Sequence, residues 1–187
     1  MTNAKRERVS LLAFSFTDCA LKERLADRLC SVYGRWLGGF RTRELREGRS
    51  RAGFEVEALG GEKALLASRA LVSPVAFNKY GVSLPALEVT ALRALEEAAA
   101  AGRALLFDEL GPIALLSPAF SGKAVELLFS GRPCVVFFRR GAKLFEDAFS
   151  KMADTVIIEL APENWAEAVA ASELFMDRAV AELEKPK

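Results

Sequence analysis

Apolar and polar positions along the chain follow two periods, and the elements they predict alternate. Thr155 to Leu160 reads as the last strand, and Val9 to Phe16, Ala104 to Phe107 and Pro133 to Phe138 are short, largely apolar runs. Runs of that length read as strands buried on both faces, the kind found inside a parallel sheet. Between them the spacing changes to three and four. Leu21, Leu25, Leu29 and Val32 mark a helix that Thr17 or Asp18 would cap. Leu87, Ala91, Leu95 and Ala98 mark a second helix, opened near Ser83 and Pro85 and stopped near Gly102. A turn from Pro112 to Pro118 leads into a third helix with Val125 and Leu128 on one face, and a fourth lies near Phe145 to Met152. The last begins at Pro162 and Glu163 and turns Trp165, Val169, Met176, Val180 and Leu183 inward.

One segment breaks the alternation. Gly38-Gly39-Phe40 starts a strand that carries Arg41, Thr42, Arg43, Glu44 and Arg46, turns at Glu47-Gly48-Arg49, and returns through Ala52 to Val56. It reads as a β-hairpin whose charges form a solvated face. Ser68 to Tyr80 reads as an irregular surface loop. The sum is an α/β fold: a mostly parallel sheet flanked by helices on both faces, a three-layer sandwich with a hairpin after the first helix. The 187 residues are expected to form a single domain, 1–187.

Composition narrows the chemistry. Twenty-six basic against 25 acidic residues give a net charge of +1, so no global field points to nucleic acid or to an anionic membrane. Lys5-Arg6-Glu7-Arg8 before the first apolar run imitates a signal peptide, but that run is short and ends at Thr17-Asp18 without a small-residue cleavage site. No stretch is long enough to span a bilayer. Three widely spaced cysteines fit reduced thiols, and the chain is expected in the cytoplasm. The absence of histidine removes the commonest general base and every histidine-based metal site.

Candidate chemistry gathers at Asp108-Glu109-Leu110-Gly111-Pro112, where an apolar strand ends in two carboxylates. On parallel sheets, ligands sit at the carboxyl ends of the strands. An acid there can hold magnesium in a nucleotide hydrolase, and its neighbour can orient the attacking water.

Several segments together resemble the small P-loop nucleoside triphosphatases of the thermophilic NTPase type. Gly39-Phe40, Thr42, Glu44, Arg46-Glu47-Gly48, Arg51 and Gly53-Phe54 are similar to that family's G-F-x-T-x-E-x-R-E-G…R-x-G-F hairpin. Lys79-Tyr80-Gly81-Val82 follows, then Asp108 to Pro112 with Ser117-Pro118 and Phe120, then Arg139-Arg140 and Glu163-Asn164, in the family's order. The resemblance implies a P-loop NTPase-like fold, with Asp108 as the magnesium residue, Glu109 as the catalytic residue, and ATP or GTP with Mg as the reactants if the chain is active.

The resemblance fails where the family carries G-x-x-x-x-G-K-T. Ala13 to Leu21 stands there instead, without glycine or lysine. Glycines let successive N–H groups wrap a phosphate, the lysine neutralises it, and the hydroxyl binds the metal. Phe14 and Phe16 would crowd that space, and Asp18 places a carboxylate at the helix N-terminus where an anion would bind. Gly122-Lys123 is the chain's Gly-Lys pair, but Ala124 follows it and it falls in a predicted helix. Ser15, Thr17, Asp18, Cys19, Thr42 and Arg139 then remain as the remnant of a nucleotide site. Two readings follow. One is a degenerate, non-catalytic binding or regulatory protein with a protein partner or a small anionic ligand and no certain cofactor. The other is an active Mg-dependent triphosphatase that holds phosphates with Arg41, Arg43, Arg139 or Lys22.

Overall fold

The computed structural model describes residues 9–185, so Lys5 to Arg8 lie outside the described residues. The described residues form a nine-stranded sheet. Its strands are β1 (Leu11–Phe16), β2 (Leu37–Glu47), β3 (Ser50–Ala58), β4 (Lys63–Ser68), β5 (Ala76–Phe77), β6 (Tyr80–Val82), β7 (Ala104–Leu110), β8 (Cys134–Arg139) and β9 (Thr155–Leu160). The spatial order is β5-β6-β4-β3-β2-β7-β8-β1-β9. From β2 to β9 neighbours run parallel, and from β2 to β5 they run antiparallel. The parallel half is the α/β core, and the hairpin β2–β3 extends it into an antiparallel wing.

Helices cover both faces, as alternating strand residues require. On one face Leu12, Phe14, Phe16, Leu106 and Phe137 pack with α1 (Cys19–Tyr33) and α5 (Trp165–Leu183). On the other, Ala13, Phe107, Val136 and Phe138 pack beneath α2 (Leu92–Ala100), α3 (Pro118–Leu128) and α4 (Lys143–Ser150). A π-helical stretch, Ala86–Ala91, leads directly into α2. Each large apolar side chain buried this way contributes about 1.5–3 kcal/mol. The three-layer sandwich of the sequence reading is what forms.

Three local expectations are corrected. Ser68 to Tyr80 is not wholly irregular, because β5 lies within it and β6 begins at its end. Val32 and Val125 face solvent, at 50% and 53% exposure, while Leu128 is buried as expected. Arg41 does not lie on a solvated face: it is 3% exposed beneath α1. The hairpin therefore turns a charge into the molecule, and the partners of that charge define the site.

Candidate functional site

Strand order reverses at β1, the inner strand from which the chain crosses to β2 on one face and later returns to β9 on the other side. The carboxyl end of such a strand is where open α/β sheets bind ligands. Here β1 ends at Phe16 and α1 begins at Cys19, so only Thr17 and Asp18 separate them. Asp18 Oδ1 accepts from the backbone N–H groups of Ala20 (2.7 Å) and Leu21 (3.4 Å). The N–H groups that would face an anion thus already have a carboxylate from the same turn. Phe14 stacks on Phe137 at 5.4 Å between centroids, and Phe14 and Phe16 are 0% and 1% exposed.

One turn into α1, Lys22 points down into this end of the sheet and is 2% exposed. Its Nζ donates to Asp108 Oδ1 at 2.6 Å and to the Thr42 carbonyl at 2.9 Å, and lies 5.9 Å from the Phe16 ring centroid. Asp108 itself is 0% exposed. Its second oxygen faces Arg41 Nε at 3.5 Å. Arg41 also donates to the Asp27 carboxylate and, at 3.2 Å, to the Glu23 carbonyl. Arg43 continues the network, bonding Asp27 and Glu57. Burial would raise the Asp27 carboxyl, but hydrogen bonding and charge from Arg41, then Arg43, hold it below the usual value. Both oxygens of Asp108 therefore face cations inside the protein. That donor set does not fit magnesium, a hard cation that keeps several waters and needs oxygen lone pairs turned toward it.

Glu109 points the other way. β7 and β8 pair Asp108 with Phe137 and Leu110 with Phe138, so the register shifts across Glu109, which opposes no partner. Such bulges redirect a side chain. Glu109 Oε1 accepts from Arg139 Nε at 3.1 Å, and the Arg139 guanidinium lies 4.7 Å from the Phe16 ring centroid. Burial pushes the Glu109 carboxyl up, and Arg139 and then Lys22 offset part of that rise. The carboxylate forms part of the wall of a cavity of about 240 Å³ between the hairpin and the Gly111–Ala114 turn.

The expected site residues therefore divide. Asp108 and Thr42 meet at Lys22, whereas Glu109 and Arg139 meet at the cavity. Cys19 is half-buried beside Arg139. Thr17 and Asp18 stay on the exposed turn, and Ser15 is buried in β1. Lys22 was foreseen only as a phosphate holder. Its true phase was visible, since the buried positions of α1 are Lys22, Leu25, Ala26, Leu29 and Tyr33, a helical stripe that begins with the lysine.

The comparisons agree with this architecture. A profile of the family described as NTPase matches residues 20–171, beginning just after the turn at Asp18. The chain is 35% identical to nucleoside-triphosphatase THEP1 of Thermotoga maritima over 127 residues, 68% of this chain and 73% of that one. With its namesake from Thermococcus kodakarensis it shares 31% identity over 169 residues, 87% and 89% of the two chains. Two solved structures share the fold. The crystal structure of THEP1 from Aquifex aeolicus superposes with a TM-score of 0.74 at 21% identity, over 94% of this chain and 99% of that one. The solution structure of a human cancer-related nucleoside triphosphatase gives 0.63 at 23%, over 96% and 100%. With a P-loop NTPase-like fold and a family match over most of its length, the chain belongs to the NTPase family.

Proposed function

We propose that this protein is a degenerate member of the family that has lost the phosphate-binding loop and acts as a non-catalytic binding or regulatory protein. The observation that carries this reading is the state of Asp108: fully buried, with Lys22 on one oxygen and Arg41 on the other. By resemblance Asp108 is the residue that would hold magnesium. In this chain an internal ammonium stands against it instead. The two-residue turn at Thr17-Asp18 supports the same reading, because the Ala20 and Leu21 N–H groups after it already bond the Asp18 carboxylate. Each charged contact missing from such a site would cost on the order of 1–3 kcal/mol of binding.

The alternative, a rebuilt phosphate site, needs basic side chains free to meet phosphate. Lys22, Arg41 and Arg43 are committed to carboxylates of the protein, which leaves Arg139, partly committed to Glu109, as one cation against a triphosphate. No described helix is long and apolar enough to cross a membrane. With unpaired thiols at Cys19, Cys30 and Cys134, we place the protein in a reducing cytoplasm, where its partner is another protein or a small anion.

Phosphate release from ATP and GTP with magnesium tests the reading. The purified protein should release no more phosphate than a blank, and Glu109→Gln should behave identically. Turnover in the wild type that vanishes in Glu109→Gln would show a working catalytic residue and contradict the proposal.

A further inference from the structure

The cavity beside Glu109 has a composition that a triphosphate site would not need. Its walls are Phe54, Leu66, Phe77, Leu87 and Ile113, all apolar. Two guanidinium groups, Arg51 and Arg139, line it together with the Glu109 carboxylate and Thr42. Arg139 presents five N–H donors in a planar fork, of which Nε serves Glu109. Arg51 bonds Glu44, which also pairs with Arg46, so two cations share that one carboxylate. The Arg51 guanidinium lies 5.4 Å from the Phe54 ring centroid, over the apolar wall. The charges lining the cavity sum to about one positive unit with Glu109 ionised, and burial of Glu109 favours its neutral form.

We infer that this cavity binds a small amphipathic monocarboxylate, an aromatic or branched-chain acid, with its apolar body among Phe54, Phe77 and Leu87 and its carboxylate on Arg139 and Arg51. The volume of about 240 Å³ is below the ~300 Å³ at which pockets for drug-sized ligands begin, which limits the occupant to a single ring or a short branched chain. A guanidinium meets a carboxylate through two parallel N–H bonds, whereas a neutral amide offers a single acceptor and no charge. Inorganic phosphate, whose every oxygen seeks a donor, gains nothing from the apolar walls and should bind more weakly. The inference rests on the non-catalytic reading, since an enzyme turning over Mg-nucleotide would use Glu109 to position water rather than to line a ligand wall.

The test is calorimetry and NMR on the full chain with phenylacetate, isovalerate, phenylacetamide, inorganic phosphate and MgATP as probes. Phenylacetate or isovalerate should bind saturably in the micromolar to millimolar range, with shifts confined to residues lining the cavity. Phenylacetamide and phosphate should bind at least about tenfold more weakly. Ala114→Leu, which fills the cavity from a buried position, should abolish binding. Arg51→Gln, at a more exposed position that leaves the Glu109–Arg139 pair in place, should weaken it several-fold. Equal affinity for the acid and its amide, shifts elsewhere on the surface, or binding retained in Ala114→Leu would overturn the assignment. Silence to every probe without nucleotide turnover would overturn it while the non-catalytic reading stands. MgATP turnover would overturn both.

Discussion

Lys22 and Asp108 form a buried ion pair because the lysine is in phase with the buried stripe of α1. Neither group has more than 2% of its side-chain surface in water, so each depends on the other for the charge that burial removed from solvent. Lys22→Met should cost about 3–5 kcal/mol in urea denaturation, because it leaves Asp108 buried against the more distant Arg41. Adding Asp108→Leu should recover most of that loss, since apolar replacement of both partners is often neutral or better. A Lys22→Met loss below about 1 kcal/mol would show that the pair is not held as described. Glu109 gives a second residue-scale signal. Its carboxyl is raised above 4.5 in the folded state, so in the window above 4.5 the native protein binds the extra proton. Stability should therefore fall as pH rises through that window, and Glu109→Gln should flatten the fall. Asp27 and Glu57 act with the opposite sign and lower down. Their folded values are depressed below 3.8 and 4.5, so their contribution is present above those values and lost as pH drops through the depressed ones. The sequence displayed the signal for Lys22 in its spacing to Leu25 and Leu29. It could not display the burial of Arg41, because hairpin charges look alike until α1 is laid over one face.

Among the elements, the β1–α1 turn and the hairpin decide what the sheet end can do. Asp18 caps α1, so Asp18→Ala should cost about 0.5–2 kcal/mol of thermal or denaturant stability. A stabilising effect would mean that the cap is not made. Gly39 lies opposite Leu106, within the parallel pairing of β2 and β7. It has φ +121°, and a Cβ there would lie 2.3 Å from the Leu106 carbonyl oxygen. Gly39→Ala should therefore cost more than about 1 kcal/mol, measured by the same denaturation, through strain and displacement of β7. The long elements were legible because their periods are unmistakable, and β1, β7, β8 and β9 lie where their apolar runs place them. β5 and β6 were not, since strands of two and three residues are too short to show a period, and β4 was missed too because KALLAS carries no clean alternation. The cavity was invisible for a related reason. Phe54, Phe77, Leu87 and Ile113 come from separate elements and meet only when the antiparallel wing folds against the turn after β7.

In the whole molecule, the sheet keeps the layout of a P-loop NTPase-like fold, and at its carboxyl end Asp108 faces Lys22 and Arg41. The family match over residues 20–171 covers the hairpin, the Asp108-Glu109 strand and the later helices, the parts whose motifs could be read directly. What lies before it, β1 and its two-residue turn, is where the chain departs from the G-x-x-x-x-G-K-T pattern. On the proposed reading, the internal ammonium and the self-capped helix leave no place for Mg-triphosphate. Titration calorimetry of MgATP into the purified protein at neutral pH tests this most directly. No saturable heat is expected at nucleotide concentrations up to about millimolar, a binding free energy weaker than about −4 kcal/mol. A micromolar dissociation constant, with Lys22 displaced from Asp108 in the bound state, would contradict it.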